Sequence, residues 1–450
     1  MHLGHARTYV TLDLLRRAAC RFGGLEVDFA MGVTDIDDKI IDRANELGLE
    51  PLVLARREEA AFFDNARKLG CLEPTMVLRV SEHVDDIIDF VRELLEKGSA
   101  YETNDGVFFD VPSLGDRYGV FAEGRGTSQA AAAATVKAAT VLHDRDSSSS
   151  ERLHERDSDD SSSKKRDGRD FALWKLSKTA EEPGWESPFG RGRPGWHIEC
   201  SAMTRAAFGE YLDLHAGGVD LAFPHHENEV AQWSGLYGPG ETWCDCWVHT
   251  GHLHIQGRKM SKSLKNFITV DSLLETTHPE DFRMFCATHR YRATVSYTDD
   301  AIAQARGTRL ELRAALLAAT EATKTTERRK KDNNDDEETT AFEKQKKRPD
   351  AKAKELLAAS SQARRDVARA LLNDLDAPTA VKALTRLATR TRHYAVEEED
   401  PVREPIVDAA TFLAETLRDL GFPETAAAWR AATTTTTTTE GYEATDSKEG

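Results

Sequence analysis

The chain has 450 residues, of which 40% are hydrophobic and 30% are charged, and its formal net charge is −17. This length is sufficient for two or three domains with hydrophobic cores. No apolar run approaches the roughly 18 residues of a membrane span, so the sequence predicts no membrane partner. The acidic net charge alone argues against nucleic acid, but local basic patches can still bind phosphates, so it does not exclude such a partner.

The cysteines indicate the redox compartment. Six of them are spread over the 450 residues, which does not suggest a disulfide framework. A reducing compartment fits better, and we expect a cytoplasmic protein in which a special cysteine acts as a thiol or metal ligand. The first residues, Met1 to Arg7, contain neither an apolar signal region nor a Ser/Arg-rich transit stretch.

Predicted helices and strands alternate along the first part of the chain. Apolar residues recur at a spacing of four between Val10 and Phe22, which predicts a helix from His2 to about Phe22. The next predicted elements are a strand at 26–33 and helices at 39–49, 52–69 and 81–97. Tyr101 to Val111 predicts a hairpin with a turn ending at Gly106. This alternation indicates a doubly wound α/β sheet.

A change of composition interrupts this first domain, which we place at residues 1–298. From about 124 to 166 the sequence is dominated by Ala, Ser, Asp, Arg and Lys. Such a stretch cannot bury enough apolar surface to order itself. We therefore expect a flexible, low-complexity insertion at 124–166.

Helical patterns dominate the rest of the chain. They lie at 299–322 and 351–391 and predict a helical domain at residues 299–430. The charged segment between them, at about 324–350, is predicted to be a disordered loop. Residues 431–450, which include a run of threonines, are predicted to form a disordered tail.

The first motif that can bind phosphates opens the first predicted helix. It consists of His2, Leu3, Gly4 and His5. The helix dipole and free N–H groups favour anions there, Gly4 permits close approach, and the imidazoles can donate hydrogen bonds. An incidental histidine near a chain start explains this motif equally well when it is considered alone.

The second such motif reads Lys-Met-Ser-Lys-Ser from Lys259 to Ser263. It supplies two cations, Lys259 and Lys262, together with two hydroxyl groups. That composition suits a mobile loop that closes on a leaving pyrophosphate. Considered alone, a lysine-rich loop is more often solvated surface.

A third group of residues has the chemistry of a metal site. Cys200 lies in the segment Gly195–Met203, and the segment 223–229 contains His225 and Glu229. Cysteine, histidine and glutamate are all zinc ligands. His225 and Glu229 are four residues apart, so a helix would point both to one face. A chance match to a loose Cys/His/Glu pattern is the alternative.

Together these motifs resemble those of class I aminoacyl-tRNA synthetases, and in particular those of the cysteinyl-tRNA synthetases. The segments that are similar to that family lie at 34–39, 195–203, 223–229 and 247–253. The resemblance covers about residues 1–122 and 167–300 and is weak beyond. It implies a catalytic domain with a Rossmann-like, doubly wound parallel sheet, followed by an α-helical domain that binds tRNA.

The resemblance implies an ATP-dependent enzyme that selects cysteine through a metal. In this family a zinc ion binds the thiolate of the substrate, and soft sulfur is a far better zinc ligand than a serine hydroxyl. Serine is then rejected at binding. Carried over by position, Cys200, His225 and Glu229 would hold one zinc ion per chain. Trp196 would line the cysteine pocket, and Asp35 is a further candidate for substrate binding.

The resemblance also implies an ATP site and a set of partners. The residues expected to contact ATP, which binds with Mg²⁺, are His2, Gly4, His5, His252 and Lys262. Those expected to act in catalysis are His2, His5, Lys259 and Lys262. The amino-acid carboxylate attacks the α-phosphate, so positioning and charge stabilisation should dominate over proton transfer. The implied partners are tRNA(Cys), L-cysteine and ATP, and we expect a monomer.

The chain departs from the family pattern at its start. The family has a strand and a loop before the first histidine motif, with a cysteine as a fourth zinc ligand, and neither precedes Met1. Our interpretation is a gene model begun at the wrong codon or exon, which leaves zinc with three protein ligands. An organellar address would also lie in such a lost segment, so an organellar location stays open.

Two other functions fit the same residues. The first is a ligase that shares the catalytic domain but joins cysteine to an amino sugar. Such ligases lack the anticodon-binding part, so the helical patterns after residue 300 favour the synthetase. The second is an inactive, N-terminally truncated fragment that only binds tRNA or a partner. The absent strand favours it, whereas the presence of the two histidines, of Lys262 and of the three metal-ligand candidates argues against it.

Overall fold

The structure is a computed structural model that describes residues 1–122, 165–179, 182–238, 243–259, 267–335 and 350–430. The predicted insertion lies outside these residues apart from its last two positions, and the predicted tail lies outside them entirely. The chain divides into two compact units, Met1–Ala305 and Arg306–Gly450. Among the described residues, no helix is both long enough and apolar enough to cross a membrane.

The first unit opens with the helix that the apolar stripe predicted. Helix α1, Leu3–Gly23, begins after the N-cap residue His2. Val10 and Leu14 of the predicted stripe are buried on its inner face. The helix therefore fixes the first histidine motif at its N-terminal end and packs the rest of its length into the core.

The following elements include those that were predicted, together with a strand, Met76–Arg79, that was not. They are β1 (Ala30–Val33), α2 (Asp38–Leu47), α3 (Pro51–Lys68), β2 (Met76–Arg79), α4 (Val84–Glu96), β3 (Ala100–Thr103) and β4 (Gly106–Phe109). β1 pairs in parallel with β2, from Ala30 opposite Met76 to Val33 opposite Arg79. The prediction of a strand beginning at residue 26 is wrong, because β2 offers four partners and the strand forms only along them.

An antiparallel sheet of four strands continues the first unit. The predicted hairpin is confirmed, since β3 and β4 are antiparallel and joined by a tight turn at Gly106. β4 pairs with β5 (Phe171–Leu176), and β5 pairs with β6 (Gly192–Pro194). Phe109 and Trp174 on this sheet are fully buried. They belong to the hydrophobic core that the sheet shares with α4.

A second parallel pair of strands alternates in the chain with the helices that carry Cys200 and Glu229, two of the predicted metal ligands. After β6 come α5 (Trp196–Phe208), β7 (Leu212–Gly218), α6 (Glu227–Tyr237) and β8 (Cys244–Thr250). β7 and β8 are parallel from Leu212 opposite Cys244 to Gly218 opposite Thr250. A single turn and a π-helical segment, Ala222–His226, connect β7 to α6.

A small mixed sheet completes the first unit. It consists of β9 (Leu253–Ile255), flanked by the antiparallel β10 (Arg258–Lys259) and the parallel β11 (Val295–Tyr297). Helices α7 (Val270–Leu274) and α8 (Pro279–Ala287) lie between β10 and β11 in the chain. Parallel strands joined through helices are what the α/β prediction requires. In the described residues they form separate short pairs.

Helices make up the rest of the described chain. They are α9 (Asp299–Asp335), α10 (Ala351–Leu372), α11 (Ala377–Glu397), α12 (Arg403–Asp419) and the single turn α13 (Pro423–Ala426). Leu356 on α10, Leu384 on α11 and Leu413 on α12 are buried together in the second unit. Their apolar faces form its core.

The prediction of a disordered loop from residue 324 is wrong for its first part. Helix α9 continues to Asp335, and residues 336–349 lie outside the described part of the chain. The extension is held by its neighbours as well as by its own sequence. Arg403 pairs with Glu327 at 3.0 Å, and Arg329 donates to the carbonyl of Glu399 at 3.0 Å.

Gly195 places helix α5 directly against strand β5. Its N–H donates to the carbonyl of Leu173 at 2.9 Å. A Cβ atom at this position would lie 2.0 Å from the carbonyl oxygen of Ala172. The backbone angles of Gly195 are ordinary, φ −78° and ψ 147°, so the constraint is the close approach itself. Because α5 carries Trp196 and Cys200, this contact sets the position of the candidate site.

Replacing Gly195 with alanine should push α5 away from β5. We expect Gly195→Ala to lower the free energy of unfolding by about 1–3 kcal/mol, as overpacking of a close contact does. Urea unfolding of the full chain, followed by tryptophan fluorescence, measures the change. Gly168→Ala is the matched control, because a Cβ at Gly168 meets nothing within 4 Å. An equal loss in both variants would contradict the close-contact explanation.

Candidate metal and nucleotide site

The three predicted metal ligands, Cys200, His225 and Glu229, come together inside the first unit and form the metal-type cluster. Cys200 lies on α5, His225 lies in the π-helical turn after β7, and Glu229 lies in the first turn of α6. The atoms that each could offer to a metal lie within 4.8 Å of one another. His225 Nε2 is 3.1 Å from Glu229 Oε1, so these two side chains do face the same side, as their spacing predicted.

The cluster is buried, and one of its oxygens has no hydrogen bond. Glu229 is 0% exposed and His225 is 4% exposed. Within the described residues, Glu229 Oε1 accepts no aligned hydrogen bond, although His225 Nε2 lies 3.1 Å from it. A buried carboxylate oxygen without a donor costs free energy. A cation bound between the three side chains would compensate that oxygen.

Neighbouring rings fix the orientation of the cluster. His197 Nδ1 lies 3.0 Å from His225 Nδ1, which leaves His225 Nε2 facing Glu229. Trp196 stacks on His225 with ring centroids 4.3 Å apart. His215, on β7, places Nε2 2.7 Å from Glu229 Oε2. Such partners orient metal-binding side chains and set their tautomers.

His215 and His226 form a second, overlapping group with Glu229. The candidate ligand atoms of these three residues also lie within 4.8 Å of one another. His226 Nδ1 is 2.8 Å from His249 Nε2. Burial lowers the pKa of His226 to about 3, so its ring is neutral at neutral pH. Glu229 is the carboxylate that both groups share, and only the first group contains a sulfur.

The charges of the cluster suit a cation. Burial, and then the nearby carboxylates of Glu229 and Glu199, raise the pKa of Cys200 well above its usual value. Burial opposes ionisation of Glu229 as well, but His215 and His225 hold its pKa below the usual range. A bound divalent cation would favour the thiolate of Cys200. Sulfur, imidazole nitrogen and carboxylate oxygen together form a donor set of the zinc type.

The first histidine motif lies at the N-terminus of α1, as predicted. The rings of His2 and His5 stack with centroids 3.7 Å apart. Phe267 packs edge-on against His2 at 5.0 Å. The N–H of Leu3 donates to the carbonyl of Ile268 at 3.1 Å, and the N–H of Val270 donates to the carbonyl of Met1 at 3.0 Å.

The expectation of free N–H groups at this helix end is wrong. His2 Nδ1 accepts from the N–H of Gly4 at 3.1 Å and from that of His5 at 3.3 Å. His2 takes this role because it is the N-cap residue, with φ −104° and ψ 166°, so its ring lies over the first turn. A neutral ring that accepts at Nδ1 carries its proton on Nε2. The ring can therefore donate to a ligand from Nε2.

The lysine motif begins in the small mixed sheet. Lys259 is the last residue of β10 and pairs with His254 on β9. Lys262 lies outside the described residues. After the gap, the chain resumes at Phe267 and pairs with the start of the chain through the bridge between His2 and Thr269. The described chain that follows the lysine motif thus lies against the first histidine motif.

Two other predicted site residues, His252 and Asp35, lie in the described part of the chain. His252 immediately precedes β9, and its ring stacks on that of His254 at 6.2 Å. Asp35 is fully buried, and its two oxygens accept from the N–H and hydroxyl of Ser81, at 2.9 and 2.5 Å. This pair ties the segment after β1 to the end of β2. A substrate-binding role for Asp35 stays a prediction.

Sequence reasoning missed two residues that contact the metal-type cluster, and one buried carboxylate two positions before Glu229. His215 lies on a strand without a recognisable motif, and only the fold brings it to Glu229. His197 was visible beside Trp196, but nothing in the sequence indicated its contact with His225. Glu227 is buried and accepts from the N–H groups of two residues of the 119–121 loop, each at 2.7 Å. Its neighbours in the sequence gave no signal of that loop.

Comparison with known proteins identifies relatives of both units. The family model for the catalytic domain of class I (C) tRNA synthetases matches residues 1–307. A probable mitochondrial cysteine--tRNA ligase of Xenopus tropicalis is 44% identical over 310 residues, which are 68% of this chain and 49% of that protein. The chain thus spans about half the length of this relative. The cysteine--tRNA ligase of Thermococcus onnurineus (strain NA1) is 38% identical over 411 residues, 91% of this chain and 77% of that protein.

A solved structure shares the fold. Mycobacterium tuberculosis methionyl-tRNA synthetase, bound by methionyl-adenylate, superimposes with a TM-score of 0.63 at 16% identity. The match covers 95% of this chain and 90% of that one. The predicted fold class, an α/β catalytic domain followed by helices, is therefore confirmed.

The capping role of His2 predicts a pH dependence of stability. Burial, and then the neighbouring His5, lower the pKa of His2 to about 4, against 6.5 in the unfolded chain. The unfolded chain therefore takes up the proton first, and His2 destabilises the fold as the pH falls from 6.5 towards 4. His2→Asn keeps an N-cap acceptor but does not titrate. The free energy of unfolding in urea should therefore be higher for His2→Asn than for the natural chain by a larger amount at pH 5 than at pH 7. An unchanged difference between the two pH values would contradict the assignment.

Proposed function

The chain belongs to the family of class I (C) tRNA synthetases, and on that premise we propose that it is a cysteine–tRNA ligase. It activates L-cysteine with ATP to form cysteinyl-adenylate and pyrophosphate. It then transfers cysteine to the 3′ end of tRNA(Cys) and releases AMP. The names of the relatives and the donor set of the buried cluster support the same substrate.

The observation that carries this proposal is the buried group of Cys200, His225 and Glu229, with Glu229 Oε1 lacking a hydrogen bond. These residues would hold one zinc ion. Zinc, when bound, supplies a position for a thiolate that a serine hydroxyl fills poorly. Trp196, stacked on His225, then borders the side chain of the substrate. A site of this kind separates cysteine from serine at binding and needs no editing.

The nucleotide is proposed to bind at the N-terminal end of α1. His2 would donate to a phosphate from Nε2, because its Nδ1 caps the helix. Gly4, having no side chain, leaves room for the nucleotide beside that ring. The remaining candidates for contacts with ATP and its Mg²⁺ are His5, His252, Lys259 and Lys262.

The reaction needs positioning more than proton transfer. The cysteine carboxylate attacks the α-phosphorus of ATP, and the bond to pyrophosphate breaks. Negative charge develops on the leaving oxygens, where the histidine and lysine motifs can donate hydrogen bonds and offset it. The adenylate carbonyl is then attacked by a hydroxyl of the terminal ribose of tRNA, and AMP leaves.

The second unit is proposed to bind tRNA(Cys). On α11 the side chains of Lys382, Arg386 and Arg390 are exposed at a spacing of four, so they lie along one face. Such a face suits the phosphate backbone of a nucleic acid. The match to the Thermococcus relative extends into this unit, which a ligase acting on an amino sugar does not need. We propose a monomer in the cytoplasm, a compartment compatible with six cysteines that form no disulfide.

Cysteine-dependent exchange between ATP and pyrophosphate tests the proposal. The chain should catalyse exchange with L-cysteine and at least about 100-fold less with L-serine, because a hydroxyl is a poor zinc ligand. Cys200→Ser should lose both bound zinc and exchange. Cys246→Ser is the matched control, because Cys246 is exposed and belongs to neither metal-type group.

The outcomes separate the competing functions. Exchange with cysteine followed by charging of tRNA(Cys) supports the synthetase. Exchange without charging, and with transfer to an amino sugar, would favour the related ligase. A zinc-loaded chain that binds tRNA but gives no exchange with cysteine would favour the inactive fragment. Equal zinc loss in Cys200→Ser and Cys246→Ser would contradict the proposed ligand set.

A further inference from the structure

The guanidinium group of Arg7 is one of the most deeply buried charges of the first unit. Arg7 lies on α1, close to His5, and is 2% exposed. No carboxylate among the described residues pairs with it; its hydrogen-bond partners are all backbone carbonyls. Nη1 donates to Gly251 and to His252, the latter at 3.0 Å. Nη2 donates to the carbonyls of Arg290, Tyr291 and Ala293, at 3.3, 3.1 and 2.6 Å.

These carbonyls come from two separate segments. Gly251 and His252 form the junction between β8 and β9, and residues 290–293 precede β11. The two segments also touch each other directly. The N–H of Gly251 donates to the carbonyl of Tyr291 at 2.8 Å, and a Cβ at Gly251 would lie 2.4 Å from the carbonyl oxygen of Ala293. Arg7 therefore joins three parts of the chain at one point.

An unpaired buried cation is expensive as a mere filler of the core. Burial lowers the pKa of the Arg7 guanidinium below its usual value. A hydrophobic side chain of similar volume would avoid that cost. Five donors in a rigid plane, however, can reach several carbonyls at once, which no apolar residue and no lysine can do. The arrangement therefore serves to hold these backbone segments in place.

Arg283 offers a contrast within the same unit. It is also fully buried and donates to the carbonyls of Leu69 and Gly70, at 3.4 and 3.3 Å. Unlike Arg7, it pairs with a carboxylate, that of Asp13. These partners lie on α1, at the end of α3 and just beyond it, and none of them belongs to the His252 junction. Arg283 is therefore buried as deeply as Arg7 but contacts different segments of the chain.

We propose that Arg7 is a positioning residue for the nucleotide site: its guanidinium fixes the His252 junction against the helix that carries His2 and His5. This inference rests on the proposed function, in which those three histidines contact ATP. Arg7 itself touches no substrate. Its contacts with backbone carbonyls set the distance between the N-terminal end of α1 and the start of β9. A second contact supports this arrangement, because the hydroxyl of Thr8 lies 2.9 Å from that of Thr250, the last residue of β8.

Steady-state exchange kinetics of Arg7→Lys test this role. Lysine keeps the charge but cannot reach five carbonyls, so the junction should shift. We expect the KM for ATP to rise about tenfold or more, the scale on which small misplacements act, while the KM for cysteine changes less than about twofold. Arg283→Lys, the matched control, should lose stability but keep the KM for ATP. An equal rise of the KM for ATP in both variants, or no rise in either, would overturn the proposal.

Native-state hydrogen exchange gives a readout that does not require activity. In Arg7→Lys, faster exchange should be confined to the His252 junction and to residues 290–295. If the natural chain shows no ATP–pyrophosphate exchange, the proposed function fails, and this pattern alone decides the role of Arg7. Uniformly faster exchange would overturn it. If Arg7→Lys does not fold, hydrogen exchange of the natural chain tests the proposal instead. The amides of the His252 junction and of residues 290–295 should then exchange at the same rate as those of α1. Markedly faster exchange in these two segments than in α1 would contradict the proposal.

Discussion

A carboxylate with no exposed surface, that of Glu229, is the constraint on which the centre of this molecule depends. Its two oxygens face His225, from the turn before α6, and His215, from strand β7. Each of those rings is held by its own neighbours. Trp196 and His197 contact His225, and Trp247 stacks on His215. Removing the carboxylate from water is costly unless cations or donors surround it. A bound metal ion would satisfy that requirement, and the neighbouring thiol of Cys200 is the reason that we propose zinc.

Helix α1 joins this metal-type cluster to the proposed nucleotide site. Its N-terminal end carries His2 and His5, and further along the helix Tyr9 lies close enough to Cys200 to interact with it. Burial, and then that thiol, raise the pKa of Tyr9 to about 12, so its hydroxyl stays protonated. Arg7, between them, binds the junction before β9. One helix thus carries the histidines proposed to bind the phosphates and the arginine that binds the junction before β9, and positioning of this kind is what the proposed reaction requires.

The sequence predicted what is local and missed what depends on tertiary contacts. The apolar spacing of α1, the turn at Gly106 and the separation of His225 from Glu229 are all short-range patterns, and the structure has each of them. His215 reaches Glu229 only because the fold brings strand β7 to the first turn of α6, and no local pattern encodes that contact. The N–H groups at the start of α1 were expected to be free, but the ring of His2 caps them. Helix α9 extends beyond its apolar pattern because partners such as Arg403 hold its charged part.

Recognition of a thiol by a protein-bound zinc ion is the central claim, and X-ray absorption at the zinc edge tests it most directly. The zinc-loaded full chain would be measured alone, with L-cysteine and with L-serine. Our account predicts that the number of sulfur ligands rises by one on addition of cysteine and stays unchanged with serine. An unchanged zinc environment with saturating cysteine would contradict the account, because the buried cluster would then hold the metal without selecting the substrate.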